Sequence, residues 1–71
     1  MKNLIEKYKG MRLDCAFRIT EVEQNIAKVC LDPRLTLNQR REKLDELGWI
    51  KVAMQTELKV LYTIIEDLET L

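Results

Sequence analysis

The chain has 71 residues, enough for one small domain, and we treat residues 1–71 as a single unit. Twelve Lys and Arg residues balance twelve Asp and Glu residues, so net charge gives no general attraction to nucleic acid or to acidic membranes. The chain has no His and no Ser, which removes the commonest general base, hydroxyl nucleophile and metal ligand, and its 46% apolar content argues against disorder.

The first predicted element is a long helix over about residues 2–31. Its apolar residues recur every three or four positions, as in the contact stripe of an α-helix. They are Leu4, Tyr8, Met11, Cys15, Ile19, Val22, Ile26 and Cys30. Tyr8, Ile19 and Cys30 are spaced by 11 residues, which favours straight or slightly right-handed packing. Leu13 and Phe17 form a second apolar pair on the back of this helix.

Two cysteines lie on this predicted helix. Cys15 and Cys30 would be about 22 Å apart along its axis, too far to form a disulfide with each other. We expect both to be reduced and to pack as small apolar side chains. The sequence has no CxxC pair, so we expect no metal and no other cofactor.

A break is predicted at residues 31–35. Pro33 disfavours helical backbone in the residue before it and cannot continue a helix. Thr36 and Gln39 then have the spacing of a capping box, in which each side chain bonds the other residue's backbone N–H. The sequence therefore predicts that a second helix begins near residue 36.

The second helix is predicted to run over about residues 36–70. Its contact stripe follows the heptad pattern of a coiled coil, interrupted by Arg40 and Lys51. The stripe consists of Leu37, Leu44, Leu47, Met54, Leu58, Leu61, Ile65 and Leu68. Because the pattern continues through Gly48, we expect a continuous or gently kinked helix there. A helix end with Gly48 as its C-terminal cap is the alternative.

Two long helices joined by about five residues must be antiparallel, so the predicted fold is all-α, a long antiparallel helical hairpin. Charge supports this arrangement. Residues 1–12 carry a net charge of +3 and residues 58–71 a net charge of −2. An antiparallel hairpin places the basic segment beside the acidic one.

The second helix has more apolar surface than one neighbour can cover. Five apolar residues beside its contact stripe widen the apolar arc to about 220°. These are Trp49, Ala53, Val60, Ile64 and Leu71. Together with Leu13 and Phe17 they predict an interface with another copy or with a partner, most simply a dimer of hairpins that forms a four-helix or larger bundle. The alternative is that they are scattered surface residues.

A binding function is favoured over catalysis. Neighbouring carboxylates point to different faces of a helix, the cysteines have no His base, and the sequence has no phosphate-binding loop. The other hypothesis is a site for nucleic acid or a small anionic nucleotide at the hairpin tip. Its candidate residues are Arg34, Arg40, Arg41 and Lys43. Acidic residues interrupt this cluster, so we favour a solvated charged surface.

The chain lacks a signal-peptide pattern and an apolar run of about 20 residues, so we expect a cytoplasmic protein without a membrane segment. We expect a homo-oligomeric bundle, adaptor or inhibitor that binds a protein partner through apolar helix surfaces. Small binding proteins of this kind are common in phages and other mobile elements, and we expect such a source.

Overall fold

The computed structural model of the chain describes residues 2–71. Two α-helices, α1 over Lys2–Leu31 and α2 over Leu37–Glu69, pack against each other as an antiparallel hairpin. The hairpin measures 53 × 14 × 11 Å. The all-α hairpin is confirmed, and so is the continuity of α2, because Gly48 lies within it with ordinary helical backbone.

The connection between the helices contains the predicted capping box. The backbone N–H of Gln39 donates to Oγ1 of Thr36 at 3.2 Å, and the backbone N–H of Thr36 donates to Oε1 of Gln39 at 2.9 Å. These two bonds satisfy N–H groups that have no acceptor inside the helix. They fix the start of α2 immediately after Thr36.

The core is a single stripe between the helices. Among residues 2–71, five apolar side chains are buried: Cys15, Ile19, Val22, Leu61 and Ile65. The thiol of Cys15 also donates to the backbone carbonyl of Met54 at 3.2 Å. This contact of a side chain with backbone brings the two helices close together. The other residues of the stripe stay partly exposed because each helix has one neighbour.

Four residues assigned to the contact stripes are instead exposed: Leu4, Met11, Cys30 and Leu37. Cys30 is exposed, whereas Val29 is half-buried, so the stripe of α1 follows alternating spacings of four and three rather than the 11-residue repeat. Leu37 is also exposed. It lies three residues before Arg40, which already bonds the end of α1, so Leu37 is beyond the level at which α1 ends.

The open end of the hairpin carries the predicted pairing of basic and acidic segments. Nζ of Lys9 lies 3.8 Å from Oε1 of Glu69. One turn away, the Arg12 guanidinium lies 4.9 Å from the centre of the Tyr62 ring, in a cation–π contact. An exposed ion pair contributes only about 0–1 kcal/mol, so these contacts select the register more than they stabilise the fold.

Replacing Thr36 with Ala tests the capping box. We expect Thr36→Ala to lower the free energy of unfolding by about 1 kcal/mol, because the first turn of α2 loses a hydrogen-bond acceptor. Chemical denaturation at fixed protein concentration measures the loss. Asn38 is exposed in the same turn, and Asn38→Ala should change stability by less than about 0.5 kcal/mol. Equal effects of the two substitutions would contradict a specific role for the cap.

Candidate functional site

The hairpin has two outer edges, one along the back of each helix, and two broad sides. Arg12 and Tyr62 meet on one broad side, which we call the Tyr62 side. Successive residues of an α-helix are about 100° apart. Met11 therefore lies across the contact stripe from Arg12, and Ile64 lies across it from Tyr62. We call this opposite broad side, which also carries Ile50, the Ile64 side.

The structure divides the seven predicted interface residues between separate surfaces. Leu13 and Phe17 lie exposed on the outer edge of α1. The predicted residues of α2 lie between the outer edge of this helix, at Trp49, and the Ile64 side. They are Trp49, Ala53, Val60 and Ile64. Leu71 is exposed beyond the end of α2. The α1 pair and the α2 group thus face away from each other, and one flat contact cannot cover both.

Two exposed apolar residues of the Ile64 side, Met11 and Ile50, were not among the predicted interface residues. Met11 was assigned to the hairpin core but is 40% exposed, and Ile50 is 44% exposed. A signal for Ile50 was present, because Ile50, Glu57 and Ile64 recur every seven residues and so share a helix face. The charged Glu57 in the middle of this series hides the pattern.

Arg34, the first residue of the predicted anion site, is paired within the connection. Its backbone N–H and its Nε donate to Oδ1 of Asp32 at 3.0 and 3.1 Å, and a terminal guanidinium nitrogen donates to Oδ2 at 3.2 Å. These bonds lower the pKa of the Asp32 carboxyl, and the side-chain bonds have the largest effect. The stabilisation that the pairing of Asp32 with Arg34 gives the folded state is therefore present at pH values above the ordinary carboxyl pKa. It is lost as the pH falls through the lowered pKa of Asp32.

Arg40 has a structural contact that the sequence did not reveal. Its guanidinium donates to the backbone carbonyl of Asp32 at 2.7 Å and to that of Val29 at 3.3 Å. Carbonyls at the C-terminal end of a helix lack N–H donors inside the helix, and a cation is favourable there because of the helix dipole. A side chain from the first turn of α2 thus caps the end of α1.

The remaining two basic residues do not converge. Arg41 and Lys43 are both exposed, but two helical positions separate them by about 200°, so they lie on opposite sides of α2. Lys43 instead lines a shallow groove on the Ile64 side together with Lys28 and Glu46. The structure therefore does not gather the four predicted basic residues into one anion site.

The two cysteines have different environments. Cys15 is 3% exposed, and Cys30 is exposed near the end of α1. Burial raises the pKa of the Cys15 thiol, the charge of Glu57 raises it further, and Arg18 opposes the rise. Because the thiolate is the reactive form, both burial and the raised pKa disfavour reaction at Cys15.

Comparison with protein-family models, curated proteins and solved structures found no match. Within residues 2–71 there is no group of three or more Cys, Asp or Glu side chains arranged to hold a metal ion. Neither α1 nor α2 is long and apolar enough to cross a membrane.

Arg40 and Arg41 form a matched pair for mutation. We expect Arg40→Gln to lower the free energy of unfolding by about 1–3 kcal/mol, because two partly buried carbonyls lose charged donors. Arg41→Gln removes the same charge from an exposed position and should change stability by less than about 0.5 kcal/mol. Chemical denaturation of both variants measures the difference. If the two variants were equally stable, the cap at the end of α1 would contribute nothing measurable.

The thiols should differ in reactivity. With a thiol reagent under native conditions, we expect Cys30 to react rapidly and Cys15 to react only when the hairpin opens. Mass spectrometry of peptides sampled over time identifies the modified residue. In denaturant the two cysteines should react at similar rates, which is the control. Rapid native labelling of Cys15 would show that the helices separate readily at this position.

Proposed function

We propose that the chain is a non-enzymatic protein that acts by binding. In this proposal it self-associates into a helical bundle and engages a protein partner through the apolar surfaces left outside the hairpin. The observation that carries the proposal is the amount of apolar surface that the hairpin leaves in water. Among residues 2–71, twelve large apolar residues are exposed, more than twice the five that are buried.

The total surface area supports association. The hairpin exposes 5706 Å², whereas a compact folded protein of 8.4 kDa exposes about 4,600 Å². The excess of about 1,100 Å² exceeds the roughly 800 Å² that each partner buries in a standard interface. Association of this kind would therefore bring the exposed area per chain close to that of a compact protein.

Two of the four basic residues behind the anion-binding hypothesis already have partners within the chain. Arg34 bonds Asp32, and Arg40 bonds the backbone at the end of α1. Part of the charge and of the hydrogen-bonding capacity of each guanidinium is therefore already used within the chain. This favours protein binding over nucleotide or nucleic-acid binding.

The proposed role is that of a small adaptor or inhibitor in a reducing compartment, the cytoplasm, and we propose an accessory protein of a phage or another mobile element. The free thiols Cys15 and Cys30 are compatible with a reducing compartment. The apolar pair Leu13 and Phe17 on the outer edge of α1 is one candidate surface for the protein partner.

Two valines of α2 allow a matched test of self-association. Val60 and Val52 are 51% and 53% exposed, and Val60 is in the predicted interface whereas Val52 lies toward the Tyr62 side. We expect Val60→Glu combined with Ile64→Glu to give a monomer or an unfolded chain, because association would bury unpaired carboxylates. Val52→Glu should keep the mass of the unsubstituted protein. Light scattering coupled to size exclusion measures the mass.

Two outcomes would contradict the proposal. One is an unsubstituted protein that is monomeric at tens of micromolar. The other is tight binding of DNA, RNA or a nucleotide, measured by fluorescence anisotropy, that is lost in the Arg41→Gln and Lys43→Gln variants and falls steeply as salt rises.

A further inference from the structure

We infer that the occupant of the Ile64 side is a second copy of this chain, with both hairpins pointing in the same direction. The two-fold axis runs along the length of the hairpins, so that α1 of each copy packs against α2 of the other in a four-helix bundle. This inference rests on the proposed function, which requires self-association but does not specify the surface or the orientation.

On the Ile64 side, apolar residues of both helices meet. α1 contributes Leu4 and Met11, each 40% exposed, and α2 contributes Ile50 and the half-buried Ile64 and Leu68. The excess surface of the hairpin is large enough for one standard interface per chain. A broad side can bury residues of both helices at once, whereas an outer edge presents one helix alone.

Contacts within the hairpin show which residues of α1 and α2 lie at the same height along its long axis, which we call the same level. Arg12 lies beside Tyr62 near the open end, and Arg40 reaches Val29 near the tip. Position n of α1 is therefore at the level of roughly position 72 − n of α2, to within about one turn. The same relation holds between α1 of one copy and α2 of the other when both hairpins point in the same direction.

With the hairpins pointing in the same direction, Arg18 of one copy lies at the level of Glu57 of the other. This pair of opposite charges occurs twice because of the two-fold symmetry. Arg18 and Glu57 lie on the Ile64 side because each is seven residues from another residue of it, Met11 and Ile64 respectively, and residues seven apart share a helix face. Near the tip, Lys28 lies at the level of both Glu46 and Lys43, so charge gives no preference there.

The same levels match the apolar residues. Met11 of one copy faces Ile64 of the other, and Leu4 faces Leu68. These pairs would exclude water from the open-end half of the interface, while the pair of Arg18 and Glu57 lies near the middle. The apolar contacts at the open end and this charged pair favour the same orientation.

The reversed orientation brings like charges together. A two-fold axis across the middle of the hairpin would place α1 against the other copy's α1 and α2 against the other copy's α2. Arg18 would then face Arg18, and Glu57 would face Glu57. Near the ends, Lys7 would face Lys28. Juxtaposed like charges disfavour an interface, so this orientation is rejected on charge.

Spin labels on Cys30 distinguish the two orientations. Cys30 is exposed on α1, twelve residues from Arg18, which is about 18 Å along the helix axis. In the proposed dimer both Cys30 residues are at the same end, less than about 30 Å apart across the bundle. In the reversed dimer the axial separation alone is about 36 Å, and the labels are more than about 40 Å apart. Pulsed dipolar spectroscopy measures the distance, after mass spectrometry has confirmed that Cys15 is unlabelled.

Exchanging the charges of Arg18 and Glu57 tests the orientation of the dimer independently. We expect Arg18→Glu to weaken the dimer at least tenfold in sedimentation equilibrium, because it places two carboxylates together at two symmetric positions. The double variant Arg18→Glu with Glu57→Arg should recover most of the affinity. Arg41→Glu also reverses an exposed charge, but off the Ile64 side, and should leave the dissociation constant within about threefold.

The outcomes separate this inference from the proposed function. A dimer with the short distance, weakened by Arg18→Glu and restored by the exchange, supports both. A dimer with the long distance, or one that Arg18→Glu leaves unchanged, overturns the inference while self-association stands. A monomeric protein overturns both.

Discussion

Each helix of the hairpin has one neighbour, and this constraint accounts for most of the structure. One neighbour covers an arc of little more than 100°, so the core is a single stripe, with five buried side chains among residues 2–71. Polar residues can also occupy contact positions, as Arg40 and Lys51 do, because the stripe is partly open to water. The remaining apolar residues stay outside, and they are the physical basis for proposing that the chain works in association with other chains.

The parts of the fold that depend on local interactions could be predicted from the sequence. The start of α2 follows from the reciprocal bonds of Thr36 and Gln39, which involve residues three positions apart. The continuity of α2 through Gly48 follows from an apolar pattern that keeps its phase on both sides of the glycine. The antiparallel pairing of a basic with an acidic segment was predicted as well, although the individual pair of Lys9 and Glu69 was not.

The errors arise where the position of one helix relative to the other decides the outcome. Extending the 11-residue spacing to Cys30 failed because the contact stripe near the tip passes through Val29 instead. The sequence shows Arg40 as an interruption of a heptad pattern, whereas its bonds to the end of α1 depend on how closely the connection brings the helices together. How the predicted interface residues divide between surfaces also depends on the rotation of each helix about its own axis, which the sequence pattern does not give.

The length of the hairpin, 53 Å against a width of 14 Å, has a hydrodynamic consequence. An extended particle has a larger friction coefficient than a sphere of equal volume, so a single hairpin will elute from a sizing column ahead of a globular protein of the same mass. Pairing side by side adds thickness without adding length, which makes the particle less elongated as its mass doubles. The shift in elution volume between one copy and two will therefore be smaller than a doubling of mass gives for globular proteins. The radius of gyration will rise only slightly.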